Sequence, residues 1–94
     1  MIVGILELTL AVPAQSIKEK RGIVRKIIHR ARNKFNVAAA EVDKLDYHQA
    51  TTLGFTAVSN DEIYTQNQLR KLVEFIDQLY LGEIIDDNII IERY

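Results

Sequence analysis

The chain has 94 residues, of which 48% are hydrophobic and 27% are charged, and its formal net charge is -1. This length predicts a single domain, residues 1–94, with a small core. The absence of cysteine excludes disulfides and thiolate metal sites, and no apolar run reaches the roughly 18 residues of a membrane span. Because the N-terminus lacks the basic start of a signal peptide, we expect a cytoplasmic protein.

A strand and a helix are predicted first. Residues 2–12 are largely apolar and place alternate leucines on one face, and Pro13 ends the strand because proline cannot donate to a β-ladder. Ser16 and Glu19 then have the spacing of a capping box, which predicts a helix over residues 17–34. Apolar residues at helical spacing form one buried stripe along this helix, which Ile27 extends: Ile17, Val24, Ile28, Ala31 and Phe35.

Two further strands follow, separated by a polar loop. Residues 36–43 predict the second strand, although its three alanines are poor strand formers, and residues 51–59 predict the third. Residues 44–50 form the loop between them. Gly4 and Gly54 lie within predicted strands, where a missing side chain allows close approach of backbone or helix.

A second helix and a last strand complete the order. Ser59 and Glu62 repeat the Ser-x-x-Glu pattern of a helix start, and Gly82 is typical of a helix end. Residues 84–94 predict the last strand, with a kink at residues 86–88. The order β-α-β-β-α-β predicts an α+β ferredoxin-like sandwich, a four-stranded antiparallel sheet of strand order 4-1-3-2 with two helices on one face.

The sheet face that the helices leave open is expected to be polar, yet the strands carry apolar residues on both faces. In the first strand, Val3 and Ile5 lie opposite Ile2 and Leu6. Since a large exposed apolar patch marks an interaction surface, we expect a homodimer through the sheet face; the alternative is a few solvent-exposed apolar residues. An RNA-recognition-motif surface needs aromatic residues on strands 1 and 3, on which bases stack. Only Phe55 is a candidate, and one ring does not make such a surface, so we do not predict it.

Positive charge is concentrated on the first helix. Residues 16–35 hold eight basic residues and one acid, a formal charge of +7, whereas the rest of the chain has a formal charge of -8. Such a surface suits phosphates, those of RNA above all, and would also suit an acidic protein; the alternative is a solvated face whose bases pair with acids elsewhere in the fold. The candidate nucleic-acid-binding residues are Lys18, Arg21, Arg25, Lys26, Arg30 and Arg32.

The sequence contains no known catalytic or phosphate-binding motif. Glu41, Asp43, Asp46 and His48 could form a metal or acid–base site, but their spacing fits no metal signature and polar loops are often rich in such residues. We therefore predict no catalytic residue, no metal and no cofactor. Lys20 lies at the edge of the buried stripe, so its stem is expected to cross apolar surface towards solvent, with exposure at the helix start as the alternative.

One stretch of the sequence is specific enough to suggest a family. Ser16-Ile17-Lys18-Glu19-Lys20-Arg21 follows the first strand, and further matching stretches occur at Phe35-Asn36-Val37, Ala40-Glu41-Val42-Asp43, Leu53-Gly54 and Val58-Ser59-Asn60-Asp61. In these the whole chain resembles the YlxP-like family of small bacterial proteins. The resemblance implies a ferredoxin-like fold and a domain of unknown function, with no established activity, substrate or cofactor. Genes of that family often lie among those for transcription elongation, translation initiation and ribosome maturation, which implies a role with RNA or the ribosome.

Three hypotheses follow. The first is a non-catalytic cytosolic binding protein that associates with RNA or the ribosome through its basic first helix. The alternative is a homodimeric regulatory or scaffolding module that uses the sheet face and binds a protein or small ligand. The third is an enzyme that uses the loop from Glu41 to His48. None of them involves a membrane.

Overall fold

The structure, a computed structural model, describes residues 1–94 as one sheet covered on one face by two helices. The elements are β1 (Ile2–Ala11), α1 (Ile17–Lys34), β2 (Ala38–Asp43), β3 (Ala50–Ser59), α2 (Glu62–Asp77) and β4 (Glu83–Arg93). All strand pairs are antiparallel and the order across the sheet is β2-β3-β1-β4. This is the predicted order counted from the opposite edge, and the predicted ferredoxin-like fold is confirmed. Neither helix has the length and apolar character that crossing a bilayer requires.

β1 is the centre of the sheet and carries much of the core. It pairs with β3 from Ile2 to Ala11 and with β4 over the same span. The leucines of its helix-facing side are fully buried, as the alternation predicted, and they pack with apolar residues of β3 and both helices: Val24, Ile27, Leu53, Phe55, Leu69 and Leu72. Burial of apolar surface against the two helices therefore stabilises the fold.

α1 begins and ends where the sequence predicts. The Ser16 hydroxyl accepts from the backbone N–H of Glu19 (3.1 Å), and the Glu19 carboxylate accepts from the N–H of Gln15 (3.0 Å) rather than from that of Ser16. At the other end, Phe35 packs edge-on against Phe75 of α2, with ring centroids 5.7 Å apart. The two helices therefore meet at the C-terminal end of α1.

Four local predictions differ from the structure. α2 ends at Asp77 with Gln78 as its cap, so Gly82 is not the helix end and instead directly precedes β4. The cap of α2 is Asp61, whose side chain accepts from the N–H of Tyr64 (3.0 Å), while the hydroxyl of Ser59 accepts from the N–H of Asp61 (3.0 Å). The irregularity in β4 falls at Ile85, which has no partner between the pairs that flank it, and not at residues 86–88. The second strand begins two residues later than predicted, at residue 38.

Gly4 and Gly22 provide a matched pair of glycine-to-alanine tests. A Cβ on Gly4 would press on Cγ2 of Thr65 and lie 2.8 Å from Cδ1 of Leu69, whereas a Cβ on Gly22 would meet nothing within 4 Å. Thr65 cannot yield easily because its hydroxyl donates to the carbonyl of Asp61 (3.0 Å). We expect Gly4→Ala to lower the free energy of unfolding by about 1–3 kcal/mol. Gly22→Ala should raise it by about 1 kcal/mol, because alanine is the better helix former. Urea titration measures both, and equal effects would contradict the packing of α2 on β1.

Candidate nucleic-acid interface

The six candidate basic residues all lie exposed on α1. At about 100° per residue, four of them fall within about 60° of one another and form a row along one flank of the helix. We call this the arginine row: Lys18, Arg21, Arg25 and Arg32. Lys26 and Arg30 lie on the opposite flank. The row extends over about 21 Å of helix, at about 1.5 Å per residue, which is long enough to follow a strand of several phosphates.

The two flanks of α1 face different parts of the fold. Nζ of Lys34 lies 5.0 Å from the centroid of the Phe75 ring, so the flank that Lys34 shares with Lys26 and Arg30 faces α2. The arginine row therefore lies on the other side, towards the β2 edge of the sheet. Between the flanks, Nδ2 of Asn33 donates to Nε2 of His29 (3.1 Å) on the outermost line of the helix.

None of the six basic residues is neutralised by a carboxylate of the same chain. The ion pairs of the molecule are Lys20–Glu41 and Arg93–Glu62, and neither involves the six. Favourable interaction with the helix C-terminus accounts for a cation in the last turn, which is where Arg32 lies, but not for those further back. The pairing of some of these bases with acids elsewhere in the fold is therefore not found, and the charge of α1 faces solvent, as both the phosphate-binding surface and the solvated face require.

The side chain of Lys20 neither crosses apolar surface to reach solvent nor is exposed at the helix start, the two alternatives that the sequence left open. Its side chain is 0% exposed, and its ammonium contacts the carboxylate of Glu41 at 3.0 Å. It also donates to backbone carbonyl groups of the β2–β3 loop, those of Lys44 (2.7 Å), Leu45 (3.2 Å) and Ala50 (3.3 Å). The charge is therefore buried and used inside the molecule, and the predicted path to solvent is wrong.

Glu41 completes this buried network. Its carboxylate, 15% exposed, also accepts a 2.6 Å hydrogen bond from the hydroxyl of Thr51 on β3. Sheet register explains the geometry, because Glu41 pairs with Leu53 and so faces the helix side. A buried charge is tolerated only when it is paired and hydrogen-bonded, and both conditions hold here. The network joins α1, β2, β3 and the loop between the two strands.

The loop residues suggested for an enzyme do not converge. Glu41 is turned inward, the carboxylate of Asp43 accepts from the N–H of Lys44 (2.8 Å), and the side chains of Asp46 and His48 are exposed. No three histidine, aspartate or glutamate side chains lie close enough to hold one metal ion together. A base-stacking platform on the sheet also fails, because Phe55 is 2% exposed and faces the helices.

The open face of the sheet is partly apolar, as the sequence predicts. Exposed aliphatic side chains come from three strands, with Val42 50%, Val58 62% and Ile90 41% exposed. Ile90 pairs with Ile5 of β1, which lies on the same face. Gly54 leaves room on this face, since a Cβ there would lie 2.9 Å from Cγ1 of Val42. An apolar surface of this kind is available for contact with a partner.

The fold and the helix together define a ferredoxin-like α+β protein with an unneutralised basic surface on its first helix. A solved structure entitled "Crystal structure of antibiotic biosynthesis monooxygenase" has a similar fold, with a TM-score of 0.53 over 100% of this chain and 98% of that chain. The two sequences are 14% identical, so the likeness concerns the fold alone.

Residues 3–89 match the family described as "Protein of unknown function (DUF503)", and the chain belongs to this family. It is also similar to the "Uncharacterized protein YlxP" of Bacillus subtilis (strain 168), with 41% identity over 64 residues, which cover 68% of this chain and 70% of that protein. The predicted membership of a YlxP-like bacterial family is confirmed.

Replacing Lys20 tests the buried network. In Lys20→Met the apolar stem is kept, but Glu41 loses its cation and three carbonyl groups lose a donor. We expect the free energy of unfolding to fall by about 3–5 kcal/mol, measured by urea titration with circular dichroism. Lys18→Met, an exposed position on the same helix, should change it by less than about 0.5 kcal/mol. Equal losses in the two variants would show that the network is not needed.

Proposed function

We propose that the protein is a non-catalytic cytosolic binding protein that docks α1 on structured RNA, in the ribosome or in a complex that matures it. The observation that carries the proposal is the basic surface of α1, on which six exposed cations have no carboxylate partner. Lysine and arginine side chains in this state release counterions from a phosphate backbone when they bind it. The six residues would act as phosphate contacts and would place the protein on the RNA.

The composition of the basic surface favours RNA over an acidic protein. Interfaces between proteins are centred on buried apolar and aromatic residues, whereas interfaces with nucleic acids are more polar and more positively charged. Apart from the imidazole of His29, the exposed positions of α1 carry no aliphatic or aromatic side chain, and Ile23 and Ile28 are half-buried against the core. Phosphate groups need no apolar anchor of this kind.

A double charge reversal tests the role of the arginine row. Arg25→Glu with Arg32→Glu should lower the affinity for RNA by at least about tenfold and reduce the slope of log K against log salt by about 2, because two phosphate contacts are lost. Fluorescence anisotropy with a labelled RNA hairpin over a series of salt concentrations measures both quantities.

The matched control reverses two exposed bases on α2. Arg70→Glu with Lys71→Glu changes the net charge by the same amount but leaves α1 intact. It should bind RNA nearly as the unmodified protein does. If both double variants lose affinity equally, the effect comes from net charge, and if neither does, α1 is not the RNA-binding surface. Circular dichroism of each variant checks that it folds.

The open sheet face favours a second candidate, a homodimeric regulatory or scaffolding module. We propose that two copies pair through this face, which would cover the aliphatic side chains of β2, β3 and β4 described above. Such a dimer leaves α1 free, since the helices lie on the opposite side of the sheet. The two candidates are therefore compatible, and a dimer would present two basic helices.

A charge placed on the open face of the sheet tests whether two copies pair through it. Sedimentation at micromolar concentration should give a dimer for the unmodified protein and a monomer for Ile90→Lys, because a buried lysine without a partner is unfavourable in an apolar interface. Asn67→Lys, on an exposed position of α2, should stay dimeric. A monomeric unmodified protein would contradict the proposal.

A further inference from the structure

The β2–β3 loop, residues 44–49, exposes aromatic, aliphatic and imidazole side chains although hydrogen bonds hold its backbone in place. Tyr47 is 64% exposed and Leu45 is 57% exposed, and His48 is exposed beside them. Nζ of Lys44 lies over the Tyr47 ring at 6.0 Å from its centroid. A ring with this exposure has surface on which a flat aromatic group can stack.

Several hydrogen bonds hold this loop in place. The buried ammonium of Lys20 donates to the carbonyl groups of Lys44 and Leu45 at its start and of Ala50 just after it. The N–H of Tyr47 donates to the carbonyl of Lys44 (3.1 Å), and that of Val12 donates to the carbonyl of Gln49 (2.9 Å). Tyr47 therefore lies on a preorganised turn, which lowers the conformational-entropy cost of binding a ligand there.

The same lysine brings the loop close to the arginine row. Lys20 is the fourth residue of α1, and its side chain reaches the loop directly, so the loop lies within one lysine length of the first turns of the helix. Lys18 and Arg21 flank it in those turns. The row lies on the flank of α1 that faces β2, and the loop continues from the end of that strand. The loop that carries Tyr47 is therefore next to the turns of α1 that carry Lys18 and Arg21.

We propose that α1 and the β2–β3 loop form a single site for RNA that contains an unpaired nucleotide. Phosphates on either side of that nucleotide contact Lys18, Arg21 and Arg25, and its base stacks on the exposed ring of Tyr47. Bases inside an RNA duplex are not accessible to a tyrosine, whereas bulged and looped bases can be stacked on aromatic side chains. This inference rests on the RNA-binding role proposed above and adds the class of RNA that the site selects.

The test compares two RNA hairpins that share a stem, one fully paired and one with a single bulged adenosine. The unmodified protein should bind the bulged hairpin about tenfold more tightly, which is within the range measured for stacking of one base on an aromatic side chain. Tyr47→Ala should remove this preference and leave the affinity for the paired hairpin and its salt dependence unchanged. Tyr47→Phe should keep the preference, because stacking needs the ring and not the hydroxyl.

Tyr94→Ala is the control for loss of an exposed tyrosine. Tyr94 is 74% exposed and follows the end of β4 that pairs with Ile2, at the opposite end of the sheet from the β2–β3 loop. The Tyr94→Ala variant should bind both hairpins as the unmodified protein does. A 2-aminopurine in place of the bulged base should be quenched by the unmodified protein and not by Tyr47→Ala.

The outcomes separate this inference from the proposed function. Equal affinity of the unmodified protein for both hairpins, or a preference that survives Tyr47→Ala, would overturn the stacking site while RNA binding through α1 stands. Failure of the unmodified protein to bind either hairpin would overturn both. Loss of the bulge preference in Tyr94→Ala as well would show that the effect is not local to the loop and would also overturn the inference.

Discussion

The buried ammonium of Lys20 is the contact on which the arrangement of the site depends. Apolar packing holds α1 on the sheet, but such packing has no preferred direction, whereas an ammonium that meets one carboxylate and three carbonyl groups does. A buried ion pair is not generally more stable than apolar residues of the same volume. Its effect here is to fix which side of α1 faces the sheet and where the β2–β3 loop lies.

Part of the acidic charge lies at the edge of the sheet opposite the basic helix. α1 lies on the β2 side of the molecule, as its contact with the β2–β3 loop shows. Four of the acids lie on β4, at the opposite edge: Glu83, Asp86, Asp87 and Glu92. Three strand spacings separate the two edges, about 14 Å, which exceeds the screening length of about 8 Å at physiological salt. These four acids therefore do not neutralise the exposed cations of α1.

Fold and exposed charge could be predicted from the sequence because both follow from local patterns. Alternating leucines in β1, the Ser16 cap and the apolar stripe of α1 fix the type and order of the elements, and a row of bases on one flank follows from helical spacing alone. The Lys20–Glu41 pair could not be predicted in this way, since its two partners are 21 positions apart. A signal was present nevertheless, because Lys20 lies at the edge of the predicted buried stripe, and a lysine that is buried there needs a partner.

The central position of β1 also has a consequence for how the chain reaches its fold. Its two neighbours in the sheet, β3 and β4, are synthesised much later, so β1 has no strand to pair with during the first part of synthesis. Pairing between residues so distant in sequence makes folding slow relative to proteins dominated by local contacts. During that interval the leucine-rich segment of β1 is exposed and prone to association with other chains. The half of the protein that precedes β3 is therefore expected to acquire helix before it acquires sheet.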